Sequence, residues 1–218
     1  MKLSKRQIIA LLIVLASYAV AGWFYPQMPT QIASHWGIDG QVNGSMSKFW
    51  GLFLMPFIST FLYLLFLAIP KIDPKAKNIR EFQPYFDNFV IVILGFLFYI
   101  FGLTIIWNLG YRFDFNILIL PPFAVLFFSV GVLIEHAKPN WFIGIRTPWT
   151  LENPLVWEKT HRITGKLYKI SALISLLGLL IPVFSFYFII IPVLATSFVA
   201  VIYSYVLFQA IKRESKHS

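Results

Sequence analysis

The chain contains no cysteine, and charged residues make up only 12% of its 218 positions. The absence of cysteine excludes disulfide scaffolds, thiolate catalysis and cysteine-ligated metal centres. Soluble domains carry roughly 25% charged residues, so this chain, with 58% hydrophobic residues, is too apolar for a water-soluble core of its length. Lipid must therefore solvate part of it, which also excludes a disordered protein and a simple soluble enzyme.

Six apolar stretches are long enough to cross a bilayer, which takes about 20 helical residues. They are Gln7–Tyr25, Phe49–Ile69, Phe89–Asn108, Asn116–Ile134, Leu167–Phe184 and Tyr187–Gln209. Only Ser185 and Phe186 separate the last two stretches, so we expect a tight hairpin there. The sequence predicts an all-α protein, a polytopic membrane helix bundle with six transmembrane helices.

Acidic residues are scarce, nine against 18 Lys and Arg, and the basic residues are unevenly distributed. Only Lys48 and Arg112 lie on the predicted outer face, and a soluble module with a basic face, which nucleic acid binding requires, is absent. The positive-inside rule places both termini in the cytoplasm and the chain in the cell membrane as a multi-pass protein. The inner basic residues are Lys2, Lys5, Arg6, Lys71, Lys75, Lys77, Arg80, Lys138, Arg146, Lys159, Arg162, Lys166, Lys169, Lys212, Arg213 and Lys216.

The chain is predicted to form one integral membrane unit with two halves. The first half, residues 1–110, carries an outer loop at 26–48, and the second half, residues 111–218, carries a cytoplasmic interfacial loop at 136–166. The first span resembles a secretory signal peptide, but its apolar run continues to Tyr25, longer than a usual signal core. We therefore predict a retained helix, with cleavage as the alternative.

The predicted spans contain few polar landmarks. No Asp, Glu, Lys or Arg lies near the middle of a span, which disfavours a proton-coupled or ion-coupled transporter. Gly95 and Gly102, seven residues apart on one helical face, are predicted to allow close helix packing. Pro56 and the Pro121-Pro122 pair are interpreted as kinks. If they instead line a path, the protein is a small-molecule or lipid transporter.

The outer loop is rich in residues that favour tight turns, namely three glycines together with Asp39 and Asn43. Such a loop is compact, and His35 and Trp36 add a hydrogen-bonding ring and a large amphipathic side chain. Two interpretations stay open: an ordered cap that rests on the helices, or a surface that recognises an extracellular peptide. For the second, the candidate binding residues are His35, Trp36, Asp39, Asn43 and Lys48.

The inner loop is predicted to contain a short helix. Asn153 is a good N-cap and Pro154 suits the first helical position, whereas Gly165 is a plausible C-terminal stop. Within this helix Glu158 and Arg162 are four residues apart, in the order that favours an ion pair. The aromatic residues of the loop make it amphipathic, so we expect it to lie in the membrane interface.

Arg146, followed by Thr147 and Pro148, is the sharpest candidate in the inner loop. A guanidinium clamps a carboxylate or phosphate with two hydrogen bonds, and the proline stiffens the backbone beside it. Contact with lipid headgroups, or an ion pair with a nearby glutamate, is the structural alternative. The candidate residues for binding a cytoplasmic partner are Arg146, Thr147, Pro148, Trp149, Trp157, Lys159, His161 and Arg162.

The sequence contains no recognised catalytic or metal-binding motif. Glu135, His136 and His161 lie on the predicted cytoplasmic face and would form an enzyme site only if their side chains converge. They lack a recognised ligand spacing. We therefore predict no metal, no cofactor and no enzymatic activity.

Two segments resemble parts of the SdpI family of bacterial membrane proteins. The inner motif that resembles the family hallmark consists of Phe142–Leu151, Val156–Arg162 and Gly165–Lys166. The outer residues that resemble the short domain of unknown function often found at the N-terminus of such proteins are Pro29, His35, Trp36, Gly40, Asn43, Gly44, Ser47 and Lys48. With six matching spans, the resemblance covers nearly the whole chain.

The resemblance implies a function. The family's type member is an immunity protein that protects a cell against its own secreted toxin peptide. It also acts as a receptor that, with toxin present, holds a small repressor at the membrane. The resemblance therefore implies a non-enzymatic membrane protein for immunity and signal transduction, with a toxin peptide bound outside and a repressor bound inside.

Overall fold

The computed structural model describes residues 3–215 and contains nine α-helices and one two-stranded antiparallel sheet within that range. The helices are α1 (Lys5–Phe24), α2 (Lys48–Ile72), α3 (Ala76–Glu81), α4 (Gln83–Asn108), α5 (Phe115–Leu118), α6 (Leu120–His136), α7 (Pro148–Glu152), α8 (Pro154–Leu177) and α9 (Ser185–Glu214). The strands are β1 (Gln31–Trp36) and β2 (Val42–Ser47). Lys2 and Lys216, two of the basic residues used to orient the chain, lie outside the described residues.

Five helical stretches of the described chain are long and apolar enough to cross a membrane. They correspond to α1, α2, α4, α5 continued by α6, and α9. The predicted polytopic all-α bundle is therefore confirmed. The sixth crossing stays a prediction, because α8 is not one of these five stretches. The cytoplasmic placement of both termini also stays a prediction.

The prediction that Gly165 ends a short helix is wrong. Helix α8 runs without interruption from Pro154 to Leu177, so the predicted interfacial helix and the start of the fifth span are one element. Asn153 does cap it, accepting hydrogen bonds from the backbone N–H groups of Leu155 and Val156. Gly165 is needed for a different reason, because a Cβ there would lie 2.7 Å from the carbonyl oxygen of Gly131.

The tight hairpin predicted at Ser185 and Phe186 is also misplaced. Ser185 is the first residue of α9, and α8 already ends at Leu177, so the connection occupies residues 178–184. It includes a single turn of 3₁₀ helix at Pro182–Phe184. The error arose because this connection is almost entirely apolar, so hydropathy alone continues the span through it.

Close helix packing occurs at α6 and α8 rather than at the predicted glycines of α4. A Cβ added to Gly95 or Gly102 meets no atom within 4 Å, so neither glycine serves close packing. By contrast, Gly131 and Gly165 place the backbones of α6 and α8 in direct contact. The close approach continues along both helices, since a Cβ added to Gly178, just after α8, would lie 3.1 Å from Leu120 at the start of α6.

The outer loop is compact, as predicted, and folds as a β-hairpin between α1 and α2. Gly40, with φ +74°, occupies the left-handed backbone region that its turn requires. The hairpin lies at one end of the bundle, where Ile32 packs beside Leu52 and Phe101. The segment between α6 and α8, residues 137–153, lies at the opposite end and contains α7; we call it the α7 loop.

Candidate functional site

Two asparagine side chains attach the hairpin to the helices. The amide of Asn108 accepts a hydrogen bond from the Ala33 N–H at 2.9 Å and donates one to the Ala33 carbonyl at 3.0 Å, as a third strand would. Near the hairpin tip, Asn116 donates to the Ile38 carbonyl at 2.8 Å. Both halves of the chain therefore hold the hairpin in place, because Asn108 ends α4 and Asn116 lies in α5.

Trp36 is the main aromatic contact between the hairpin and the helices. Its ring stacks on Phe115 with centroids 4.2 Å apart and an angle of 9°, and it meets Trp107 edge to face at 5.8 Å. Aromatic pairs of this kind contribute about 0.5–1.5 kcal/mol beyond burial. The side chain predicted to bind a ligand thus also fixes the hairpin on the bundle.

A cleft of about 590 Å³ opens beneath the hairpin, between β1 and the helices. We call it the hairpin cleft. Its rim includes His35 and Asn43, whose side chains pair across the hairpin at 2.5 Å, and its floor is apolar. The lining residues are Ser34, His35, Trp36, Gly37, Ile38, Asn43, Met55, Ile100, Thr104, Phe115, Asn116, Ile119 and Phe186. None of them is Asp, Glu, Lys or Arg.

The other two outer candidates lie outside this cleft. Asp39 accepts a hydrogen bond from the Gln41 N–H at 3.1 Å and so shapes the hairpin turn. Lys48 begins α2, and its ammonium nitrogen lies 5.1 Å from the ring centroid of Tyr25. The structure therefore brings together three of the five predicted outer residues, and it adds Thr104, Asn116 and Phe186 from distant parts of the chain.

At the opposite end, Asn140 organises the α7 loop. It is fully buried, its carbonyl oxygen accepts from the N–H groups of Phe142 and Ile143, and its amide donates to the carbonyls of Lys138 and Ile143. Trp157, also buried, donates its indole N–H to the Ala137 carbonyl at 2.8 Å. These bonds hold the loop against the first turn of α8.

His161 connects the α7 loop to α8. Its Nε2 atom accepts from the Ile145 N–H at 3.0 Å, while Nδ1 contacts the Trp157 carbonyl at 2.8 Å as the protonated donor. The ring also stacks on Trp157 at 3.9 Å. Both nitrogens of the neutral imidazole are therefore occupied, which leaves none for a metal, a substrate or a partner.

The segment between α2 and α4 contributes two residues to the docking of the α7 loop, and the sequence analysis did not predict them. Asp73, 3% exposed, accepts hydrogen bonds from the N–H groups of Lys75 and Trp141. Asn78 donates to the Pro139 carbonyl at 2.7 Å. The Asp73-Pro74 pair signals a turn, but nothing in the sequence shows that its partner lies 68 residues away.

The predicted partner-binding residues of the α7 loop are not equally accessible. The Arg146 guanidinium is exposed and donates to the Trp141 carbonyl, and none of the ion pairs in residues 3–215 involves it with Glu135, Glu152 or Glu158. Pro148, Lys159 and Arg162 are exposed as well. Trp157 and His161 are only 2% and 1% exposed, so they position the loop from inside and do not present a surface.

Thr147 and Trp149 link the α7 loop to the last helix. Thr147 caps α7 in a reciprocal box with Thr150, and its hydroxyl lies 3.1 Å from that of Ser204. Trp149 meets Tyr205 edge to face at 5.0 Å. The loop therefore contacts α9 in its C-terminal half.

Glu135, His136 and His161 line one cavity of about 380 Å³, yet each is engaged elsewhere. Glu135 forms an ion pair with Lys169, and Nδ1 of His136 bonds the Val132 carbonyl while its ring stacks on Tyr85. Among the described residues, no group of three His, Cys, Asp or Glu side chains is arranged to hold a metal ion. These contacts connect α6 with α4 and α8.

The docking of the α7 loop is expected to weaken in acid. Burial lowers the pKa of His161 to about 4, although the bond to the Trp157 carbonyl raises it. His161 lies outside the five apolar spans. In an undocked loop the pKa of the His161 ring returns to about 6.5. The contribution of His161 to docking is therefore fully present above that pH and declines towards pH 4. Between pH 7.5 and 5.0 we expect the free energy of docking of the α7 loop to fall by about 2 kcal/mol. The protection of the Ile145 amide, which is its intrinsic exchange rate at a given pH divided by the observed rate, measures this loss. Unchanged or higher protection at pH 5.0 would contradict the role of His161 in docking.

Known protein families match the chain in two regions, one that contains the hairpin and one that contains the α7 loop. Residues 136–206 match the SdpI/YfhL protein family, and residues 12–60 match a domain of unknown function, DUF1648. The chain is 27% identical over 184 residues, 84% of its length and 83% of the relative's, to Immunity protein SdpI of Bacillus subtilis (strain 168). No solved structure matches significantly. The chain is therefore similar to membrane proteins of the SdpI family through residues 136–206, and its residues 12–60 are similar to the DUF1648 domain.

Proposed function

We propose that this protein confers immunity against a secreted toxin peptide, which it engages at the hairpin cleft. The observation that carries the proposal is the cleft itself, formed by a rigidly attached hairpin and by helices of both halves. Such cavities of about 300–1,000 Å³ with a few polar groups at the rim are typical binding sites. The similarity to an immunity protein makes a toxin peptide the preferred ligand.

The second part of the proposal concerns the α7 end, which we assign to a cytoplasmic repressor. Arg146, Pro148, Lys159 and Arg162 are the exposed members of the predicted set. Arg146 is central because its guanidinium is held by a backbone carbonyl, which limits its freedom before binding. Trp157 and His161 support this surface from inside.

Protection is tested by expressing the protein in toxin-sensitive bacteria and challenging them with the toxin peptide of the SdpI family. Cells with the wild-type chain are expected to survive doses that kill cells with an empty vector. Membrane levels are measured in parallel to exclude differences in expression. Killing of both strains would exclude this toxin as the target and favour the alternative of a small-molecule or lipid transporter.

Replacing Arg146 with alanine is expected to reduce toxin-dependent retention of a fluorescent repressor at the membrane about 30-fold, the loss typical of a central arginine in an interface. Since the side chain is exposed, the membrane level is expected to stay unchanged. Lys77→Ala is the matched control, an exposed basic residue outside the α7 loop. Equal retention by wild type and Arg146→Ala would mean that Arg146 contacts lipid headgroups and not a repressor.

A further inference from the structure

The hairpin cleft is amphipathic and uncharged. His35, Asn43 and Asn116 provide polar groups, while Met55 and Ile100 belong to the apolar part of the lining, on membrane helices. Because no lining residue is Asp, Glu, Lys or Arg, a charged group placed inside would find no opposite charge to compensate its loss of hydration. The cleft therefore suits an uncharged, largely apolar ligand segment.

One residue of the cleft comes from the last helix. Phe186 is the second residue of α9 and contributes to the lining of the hairpin cleft. Helix α9 is continuous for 30 residues, a length of about 45 Å. It therefore extends from the cleft to the other end of the bundle.

The C-terminal half of α9 meets the α7 loop. Ser204 and Thr147 are hydroxyl partners at 3.1 Å, and Tyr205 contacts Trp149. The Thr147 hydroxyl also caps α7 through the Thr150 N–H. A shift of α9 in this half would thus change the cap on which the first turn of α7 depends.

The interface of α9 with the bundle is suited to small displacements. Except for Ile189, its buried side chains are small: Ser185, Thr196, Ala200 and Ser204. Ser171 of α8 bonds both the Thr196 hydroxyl, at 3.0 Å, and the Pro192 carbonyl, at 3.2 Å. A small movement exchanges such hydroxyl bonds without unpacking large side chains, since each hydroxyl both donates and accepts.

We infer that the hairpin cleft takes the uncharged, apolar segment of a peptide ligand, and that Phe186 transmits its presence along α9 to the α7 loop. The inference rests on the proposed function for the identity of the ligand. The route itself rests on the cleft, the continuous helix and the two contacts in its C-terminal half. It explains how a ligand at one end of the bundle changes a surface at the other.

The absence of cysteine in the chain allows a test without toxin. Ser34→Cys introduces one thiol into the cleft, and three methanethiosulfonate reagents then attach a benzyl, a sulfonatoethyl or a trimethylammonioethyl group. Amide hydrogen exchange of residues 145–151 is measured in lipid nanodiscs. Because coupling between protein sites is typically 5–150-fold, we expect the benzyl group to change this exchange by about fivefold or more.

Two controls separate the route from general disturbance. Ser45→Cys presents a thiol on the exposed side of the same hairpin, outside the cleft, and its benzyl adduct is expected to leave residues 145–151 unchanged. In the Ser34→Cys protein, Phe186→Ala is expected to abolish the response, and Phe186→Leu to retain part of it.

Each contrary outcome overturns a defined part of the inference. Equal responses to the benzyl and charged groups would overturn the uncharged ligand class. No response to the benzyl group, or a response that persists in Phe186→Ala, would overturn the route through α9. Since no toxin is used, these outcomes are distinguishable from failure of the protection assay.

Discussion

Replacing Gly144 with alanine is expected to detach the α7 loop from α8. The residue has φ +119°, and an added Cβ would lie 2.3 Å from Nε2 of His161. The strained backbone costs about 1–3 kcal/mol. Displacing His161 leaves the Ile145 N–H without its partner, a further 1–3 kcal/mol. We expect Gly144→Ala to lower the free energy of docking of the α7 loop by about 4 kcal/mol in total.

Amide exchange of residues 145–151 measures this loss directly. Gly110→Ala is the matched control, because Gly110 also has a positive φ of +105° but its added Cβ meets no atom within 4 Å. It is expected to show backbone strain alone, and no faster exchange in the α7 loop. Equal effects of the two variants would mean that the contact with His161 contributes nothing to docking.

Gly165→Ala is expected to separate α6 from α8. The new Cβ would lie 2.7 Å from the Gly131 carbonyl oxygen and 2.8 Å from Cβ of Glu135. Both obstacles lie on or next to a helix backbone, which cannot rotate aside as a side-chain end does. Overpacking costs about 1–3 kcal/mol, occasionally more, and we expect the upper end, about 3 kcal/mol.

Thermal unfolding in detergent measures the effect on the bundle. The matched control is Gly95→Ala, a helical glycine whose added Cβ meets no atom within 4 Å. Since alanine favours helix by about 0.5–1 kcal/mol over glycine, this variant is expected to be neutral or slightly stabilised. A Gly165→Ala protein as stable as wild type would contradict the close crossing of α6 and α8.

The two glycine pairs show what the sequence could and could not predict. Gly95 and Gly102 have the spacing expected for helix contact, whereas Gly131 and Gly165 are 34 positions apart and share no pattern. Hydropathy reports which residues face an apolar environment, but it does not say whether lipid or another helix supplies it. Five of the six predicted spans therefore coincide with apolar helices of the structure, whereas the helices that pack against each other were not predicted.

The candidate site likewise contains features that the sequence predicts and features that it does not. Local signals correctly predicted the cap at Asn153, and the ion pair between Glu158 and Arg162 is present at 3.4 Å. The same local view grouped the buried Trp157 with the exposed Arg146, because a short amphipathic segment gives no account of what docks against it. Asp73 was overlooked for the same reason, since its role depends on a contact with another loop.

The hairpin was the least predictable element. Its strands are short and contain few of the β-branched and aromatic residues that favour strands. Bonds from Asn108 and Asn116, both distant in sequence, stabilise it on the helices. The cleft that it covers likewise depends on Phe186, which no local motif connects with His35.

The most direct measurement of the central claim is a protection assay on the cleft rim. Cells that express His35→Ala are compared with cells that express wild type or Ser45→Ala, an exposed residue of the same hairpin outside the cleft, at equal membrane levels. We predict that His35→Ala lowers the tolerated toxin dose about tenfold or more, as a loss of at least 1.4 kcal/mol of binding does, while Ser45→Ala protects fully. Full protection by His35→Ala, with wild type protecting equally, would contradict an immunity function exercised through the hairpin cleft.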